Sequence, residues 1–230
     1  MHLFKIWAMW LFVIVVGFIL FVIPQIPFQM GAFGGYKGKG LAIIGIVQFI
    51  LVVPFLYWGL RRIKLNLRDL GLITSNRWKQ DVLLGIGAST AWAIVQFMWL
   101  IPATGGADRP DIAGIMTMLD QHWVNVLWYL PLGVIGGGFA EELYNRGFVI
   151  GVLRKKFPNS KPVLTIGILF AIVFFAAGHL PANGVEWMDL LIPSTTYTLL
   201  YLWTQRLTAS MVAHGLWNTI AVTFIYILYI

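Results

Sequence analysis

The chain consists of successive apolar stretches, each about as long as a helix that crosses a lipid bilayer, which takes about 20 mostly apolar residues. Of the 230 residues, 59% are hydrophobic and 11% are charged, whereas soluble domains are about 45–50% apolar and about 25% charged. The stretches are too long and continuous for the short alternating strands of a membrane barrel. We therefore predict one integral-membrane domain over residues 1–230, an all-α polytopic bundle of about seven transmembrane helices. The predicted spans are Ile6–Ile26, Leu41–Leu60, Val82–Ile101, Trp123–Leu153, Val163–His179, Leu190–Thr204 and Ala209–Ile230.

Basic residues lie in the loops beside these stretches, so the net charge of +7 does not indicate nucleic-acid binding. Twelve of them fall on one side of the predicted membrane and three on the other. Because cytoplasmic loops are rich in Lys and Arg, the first side and the N-terminus are predicted to be cytoplasmic, in a bacterial plasma membrane. The chain has no cysteine and hence no disulfide or thiolate metal site. The twelve are Lys5, Arg61, Arg62, Lys64, Arg68, Arg77, Lys79, Arg154, Lys155, Lys156, Lys161 and Arg206, and the three are Lys37, Lys39 and Arg109.

Charged side chains also occur inside the fourth stretch, where Glu141 and Glu142 are adjacent and Arg146 follows. A charge at the bilayer centre costs about 2.5–3.5 kcal/mol on insertion scales and usually marks function. Residues four apart share a helix face, and adjacent residues point about 100° apart. Glu142 is therefore expected to pair with Arg146, and Glu141 to be free for acid–base chemistry. In the alternative interpretation all three form one packing network, which leaves one carboxylate unbalanced.

Two later stretches each carry one histidine, His179 and His214. Asn218 follows His214 by four residues and shares its helix face, which predicts a polar cavity wall or an interhelical hydrogen bond. Together with the glutamates these are nearly all the ionisable groups within the spans, so we predict one shared site. The predicted spans place His179 and His214 near opposite ends, so convergence requires tilted or broken helices. The run Gly136–Gly138 is suited to a kink or to close helix packing.

Three short motifs follow one another along the chain. EELYNR (Glu141–Arg146) fits E-E-x-x-x-R, FAAGH (Phe175–His179) fits F-x-x-x-H, and HGLWN (His214–Asn218) fits H-x-x-x-N. In this order, on successive apolar stretches, they resemble the CPBP family of intramembrane proteases. This family includes the type II CAAX prenyl endopeptidases and the bacterial Abi, or bacteriocin self-immunity, proteins. The resemblance covers roughly residues 120–225, the expected protease core.

The resemblance implies hydrolysis of peptide bonds in membrane-embedded or membrane-associated substrates, with the lipid bilayer as the surrounding medium. By motif match, Glu141 and His179 together activate water. His214 and Asn218 stabilise the oxyanion, and Glu142 and Arg146 have a supporting role. The family has been described both as metalloproteases and as metal-independent glutamate proteases. Glu141, His179 and His214 are a conceivable zinc set, but the chain has no H-E-x-x-H and Asn218 is a poor zinc ligand. We therefore expect no required cofactor, with divalent zinc as the alternative.

Two other classes of function remain open at the level of sequence. A non-catalytic membrane scaffold or immunity protein acts by binding alone, although the complete set of motifs argues against it. In a proton-coupled transporter the buried Glu, Arg and His side chains are relay groups. Inverted repeats favour a transporter, and the sequence contains none that we detect.

Overall fold

The computed structural model describes residues 3–230, and this part of the chain is 84% helical with no β-strand. The prediction of an all-α polytopic bundle is confirmed. Short 3₁₀ turns at Ala32–Gly34, Leu67–Leu70 and Gly106–Asp108 lie between the main helices. The main helices are α1 (Leu3–Gln29), α2 (Lys39–Arg62), α3 (Trp78–Ala103), α4 (Pro110–Leu119), α5 (Val124–Lys156), α6 (Lys161–Gly178), α7 (Gly184–Thr204) and α8 (Thr208–Tyr229).

Within residues 3–230, five helices (α1, α2, α3, α6 and α8) are long and apolar enough to cross a membrane. Helices α4 and α5 meet at an angle of 106° and raise the number to six if they are taken as one broken span. The chain is thus a multi-pass membrane protein.

The helix that is predicted as a span but not counted among these candidates is α7. Its 21 residues extend about 30 Å, but they include two carboxylates and several hydroxyls, which lower its hydropathy. The ends of this segment touch opposite ends of the bundle. Asp189, near its start, pairs with Arg109, and Gln205, just after it, accepts a hydrogen bond from Arg154.

The loops lie at two ends of the bundle, and each end contains the loops that the sequence assigns to one side of the membrane. At the basic end, formed by the α2–α3, α5–α6 and α7–α8 loops, the backbone N–H of Leu207 donates to the carbonyl of Gly71 at 3.1 Å. Arg206 pairs with Asp81 at 2.6 Å in the same region. The acidic end contains Asp108, Asp111, Asp120, Glu186 and Asp189, and Lys37 there pairs with Asp120 at 3.0 Å. Which end faces the cytoplasm stays a prediction.

Helix α5 is the centre of the bundle, and glycines let its neighbours approach it closely. A methyl group on Gly45 of α2 would lie 2.5 Å from backbone atoms of Pro131 and Leu132, and one on Gly138 would lie 2.7 Å from the Cα of Gly215 in α8. The glycine run therefore serves close packing, one of the two predicted outcomes. From Pro131 to Ile150 most of α5 has the wider winding of a π-helix. Such segments are rare in proteins, and those that occur are often found at functional sites.

We expect Gly45→Ala to destabilise the protein, because its methyl group would meet backbone atoms that cannot move unless α5 shifts. Overpacking of this kind costs about 1–3 kcal/mol, more than the helix-propensity gain of about 0.5–1 kcal/mol. The control is Gly87→Ala in α3, where a methyl group meets no atom within 4 Å. Thermal unfolding in detergent should show a lower transition temperature for Gly45→Ala only. Equal behaviour of the two variants would contradict the packing described.

Candidate active site

A cavity of about 440 Å³ lies among α1, α2, α5, α6, α7 and α8. Four of the six predicted site residues line it, namely Glu141, His179, His214 and Asn218. The cavity extends along the bundle from His179, just after the end of α6, to His214 in the second turn of α8. Side chains that the predicted spans place at different depths therefore share one space.

Glu142 and Arg146 are fully buried behind the cavity wall. The Oε1 atom of Glu142 lies 2.8 Å from Nη1 of Arg146, the pair that the helical spacing predicts. The same oxygen lies 2.9 Å from Nδ1 of His214, a contact between α5 and α8 that the sequence does not indicate. One carboxylate oxygen thus joins two of the three motifs, while Oε2 has no hydrogen-bond partner among the described residues.

Helix α7 supplies the rest of the surroundings of Arg146. Its Nη2 donates to the carbonyl of Ser194 at 2.8 Å and to the hydroxyl of the same residue at 2.7 Å. The guanidinium lies 4.6 Å from the ring centroid of Phe175 and 5.4 Å from that of Tyr197. Tyr197 also stacks on His214, with centroids 4.9 Å apart. Ser194, one of the hydroxyl residues that lower the hydropathy of α7, therefore binds the buried arginine.

The contact with Glu142 determines which nitrogen of His214 faces the cavity. An ionised carboxylate only accepts hydrogen bonds, so Nδ1 of His214 carries a proton. Nε2 is left for the cavity, as an acceptor in the neutral ring and as a donor in the imidazolium.

Asn218 lies beside His214 against the glycine run. Its Nδ2 donates to the carbonyl of Gly133 at 2.8 Å, which leaves a second amide hydrogen. A methyl group on Gly137 would lie 2.6 Å from Nδ2 of Asn218 and 3.3 Å from Nε2 of His214. The bare backbone at Gly137 therefore lets two nitrogen atoms stand close together at one part of the cavity wall.

Glu141 and His179 have looser surroundings. Glu141 is partly exposed and, among residues 3–230, makes no side-chain hydrogen bond or ion pair. His179 is exposed, and its Nδ1 donates to the carbonyl of Phe175 at 2.8 Å. Because a carbonyl only accepts, Nε2 of the neutral His179 ring keeps a free lone pair. The cavity thus contains a carboxylate and an imidazole that can both hold water.

Residues of the N-terminal part, which the motifs do not cover, also line the cavity. The hydroxyl of Tyr36, in the α1–α2 loop, donates to Gln25 at 3.3 Å. Burial, and to a smaller extent the charge of Glu141, raise the pKa of Tyr36 to about 12, so it stays a donor at neutral pH. Gln48 of α2 donates to the carbonyl of Phe21 at 2.8 Å, and its buried Oε1 has no described partner. The only sequence signal for this N-terminal part of the cavity lining is the presence of isolated polar residues, such as Gln25 and Gln48, in apolar helices.

The donor set gives no clear metal site. Within residues 3–230, no three His, Asp or Glu side chains lie close enough together to hold a metal ion. Glu141, His179 and His214 line the same cavity, and each histidine has a hydrogen-bonded Nδ1 and a free Nε2, which is also how metal-binding histidines are held. The three side chains do not form one cluster, however, and no step below uses a metal.

We expect Glu142→Gln to lower stability strongly, because it leaves Arg146 as a buried charge without its counter-ion. Breaking a buried ion pair by removing one partner costs about 3–5 kcal/mol. Glu141→Gln is the matched control, since it makes the same change at the neighbouring position, where no partner is lost. The amount of protein in the membrane and its unfolding transition temperature in detergent should fall for Glu142→Gln. Both should stay near the wild-type values for Glu141→Gln. The reverse order would show that the two glutamates have exchanged roles.

Comparison with known proteins identifies the segment that carries this site. The family "Type II CAAX prenyl endopeptidase Rce1-like" matches residues 123–220, and no curated protein and no solved structure matches the chain. The matched segment runs from the start of α5 into α8 and contains all six predicted site residues, from Glu141 to Asn218. It is consistent with the CPBP resemblance drawn from the three motifs. Over residues 123–220, which is less than half of the chain, the sequence is therefore similar to the Rce1-like family of type II CAAX prenyl endopeptidases.

Proposed function

We propose that the protein is an intramembrane endopeptidase that hydrolyses peptide bonds of membrane-associated substrates, with Glu141 as the catalytic base. The match of residues 123–220 to the CAAX protease family supports an intramembrane endopeptidase in general. The single observation that carries the finer proposal is the division of labour between the two glutamates. Glu142 is fully buried and hydrogen-bonded to Arg146 and His214, whereas Glu141 is unpaired among the described residues and faces the cavity.

In the proposed first step, Glu141 takes a proton from a water molecule, and the water oxygen attacks the carbonyl carbon of the scissile bond. The free Nε2 of His179 accepts the second hydrogen of this water and fixes its position. General-base assistance from a positioned side chain contributes about 10²–10⁴-fold to such reactions. Helix α5 and the end of α6 place the two groups on the same cavity.

The attack moves the electron pair of the carbonyl onto its oxygen, which then needs hydrogen-bond donors. Asn218 supplies its second amide hydrogen, and the imidazolium of His214 supplies Nε2–H. Donors aimed at an oxyanion contribute about 10²–10³ to the rate each. The contact between Glu142 and Nδ1 stabilises this imidazolium, which is the positioning role we assign to Glu142.

The tetrahedral intermediate collapses when its C–N bond breaks and the carbonyl re-forms. Glu141 then returns the proton it accepted to the leaving nitrogen, which gives a carboxyl group and an amine. The net reaction consumes one water molecule and needs no other reactant. Arg146 does not touch the reacting atoms and acts by holding Glu142 and α7 in place.

Glu141→Gln tests this assignment, because the amide keeps the size of the side chain but cannot take a proton from water. We expect cleavage to disappear while the protein accumulates and unfolds like wild type. The measurement is a comparison of membrane peptides from cells that express each version. If the cellular effect of the protein persists in Glu141→Gln, a non-catalytic scaffold or immunity function is favoured.

The metal-free mechanism is tested by chelation of the purified protein. Because the proposed water is held by Glu141 and His179 directly, we expect substoichiometric zinc by elemental analysis and unchanged turnover after chelator treatment. About one zinc per chain, together with lost activity that zinc restores, would refute the metal-free mechanism. It would leave the location of the site intact.

A further inference from the structure

The exposed residues that line the cavity all lie toward the acidic end of the bundle. The rim of the cavity is formed by residues of the acidic end, at the end of α1, in the α1–α2 loop, in α4, in the α6–α7 loop and at the start of α7. Leu180, next to His179, is 84% exposed at this rim. No residue of the α2–α3, α5–α6 or α7–α8 loops lines the cavity in the described part of the chain. The rim residues are Gln25, Gln29, Tyr36, Met118, His179, Leu180 and Asp189.

Toward the basic end, a dry layer separates the cavity from solvent. Leu70, Leu143, Tyr201 and Leu207 are fully buried there. The side chains of Leu70, Leu143 and Leu207 all come within 3.6 Å of the point that a methyl group on Gly147 would occupy. The hydroxyl of Tyr201 donates to the carbonyl of Leu70 at 3.0 Å, so the layer also satisfies its polar atoms. A substrate therefore has no entry from the basic end in this structure.

The charges of the two ends give the direction of entry. Twelve Lys and Arg residues belong to the basic end and its loops, and three belong to the acidic end. All of these loops are short, which is the condition under which the positive-inside rule sets orientation. The rule places the basic end, and with it the dry layer, in the cytoplasm.

We propose that the cavity opens to the extracytoplasmic side of the membrane and takes its substrate there. The substrate class is a peptide, or a membrane-anchored protein segment, that is exposed on the outer face. The water consumed in hydrolysis enters from the same side. A cytoplasmic C-terminal tail does not reach Glu141 in this arrangement. The entry side rests on charge and burial alone, and only the statement about a substrate rests on the proposed function.

Single cysteines test the entry side, since the natural chain has none. Leu180→Cys reports on the rim of the cavity, and Lys155→Cys, an exposed position in the last turn of α5, is the matched control at the basic end. Intact spheroplasts are treated with a membrane-impermeant maleimide, before and after permeabilisation. We expect Leu180→Cys to label fully in intact spheroplasts and Lys155→Cys to label only after permeabilisation. The opposite pattern overturns the proposal, because it places the cavity on the cytoplasmic side.

A second measurement separates this proposal from the proposed function. Membrane-impermeant, internally quenched peptides are added to spheroplasts and to inverted vesicles that contain the wild-type protein, with Glu141→Gln as the blank. We expect cleavage by spheroplasts, and by inverted vesicles only after detergent is added. Cleavage by sealed inverted vesicles would overturn the entry side. If no sample cleaves even in detergent, the protease function fails, and the cysteine labelling still decides the entry side.

Discussion

The buried carboxylate of Glu142 is the interaction on which the rest of the structure depends. It binds Arg146 of its own helix and His214 of α8, and Arg146 in turn binds the backbone and hydroxyl of Ser194 in α7. Three helices are therefore tied together at one point. Taking several charges out of water is costly, and the cost is recovered only when every partner is in place. The network thus fixes the relative positions of α5, α7 and α8, and the cavity follows from them.

The parts of this site that are local in sequence were predictable, and the parts that depend on contacts between helices were not. The pair Glu142–Arg146 follows from four-residue spacing on one helix. The contact of Glu142 with His214 joins residues 72 positions apart, and nothing in a single sequence encodes their distance. Predicted spans with straight axes even argued against one shared site, since they separated His179 from His214 in depth.

The hydropathy of α7 does not mark it as a membrane span, for a related physical reason. A hydropathy threshold treats every helix as if lipid surrounded it, and α7 carries Ser194, Thr198 and Tyr197 on a face that protein covers. Its polarity is a property of its position inside the bundle. The same holds for the wall that α1 and α2 contribute: Gln48 and Tyr36 lie outside the family match and show a role only when the helices are packed around α5. The fold class needed composition alone, whereas the site needed the packing.

The dry layer beneath the cavity has a consequence for the cell that houses the protein. A water-filled pocket that reaches the middle of a bilayer thins the insulating barrier, and one elementary charge that crosses a potential of 100 mV dissipates about 2.3 kcal/mol. Leu70, Leu143, Tyr201 and Leu207 fill the space between the pocket and the opposite face without an unpaired charge. The pocket can then be hydrated from one side while the electrochemical gradient across the membrane stays intact. The packing of these four side chains therefore closes the cavity and also keeps ions from crossing the membrane through it.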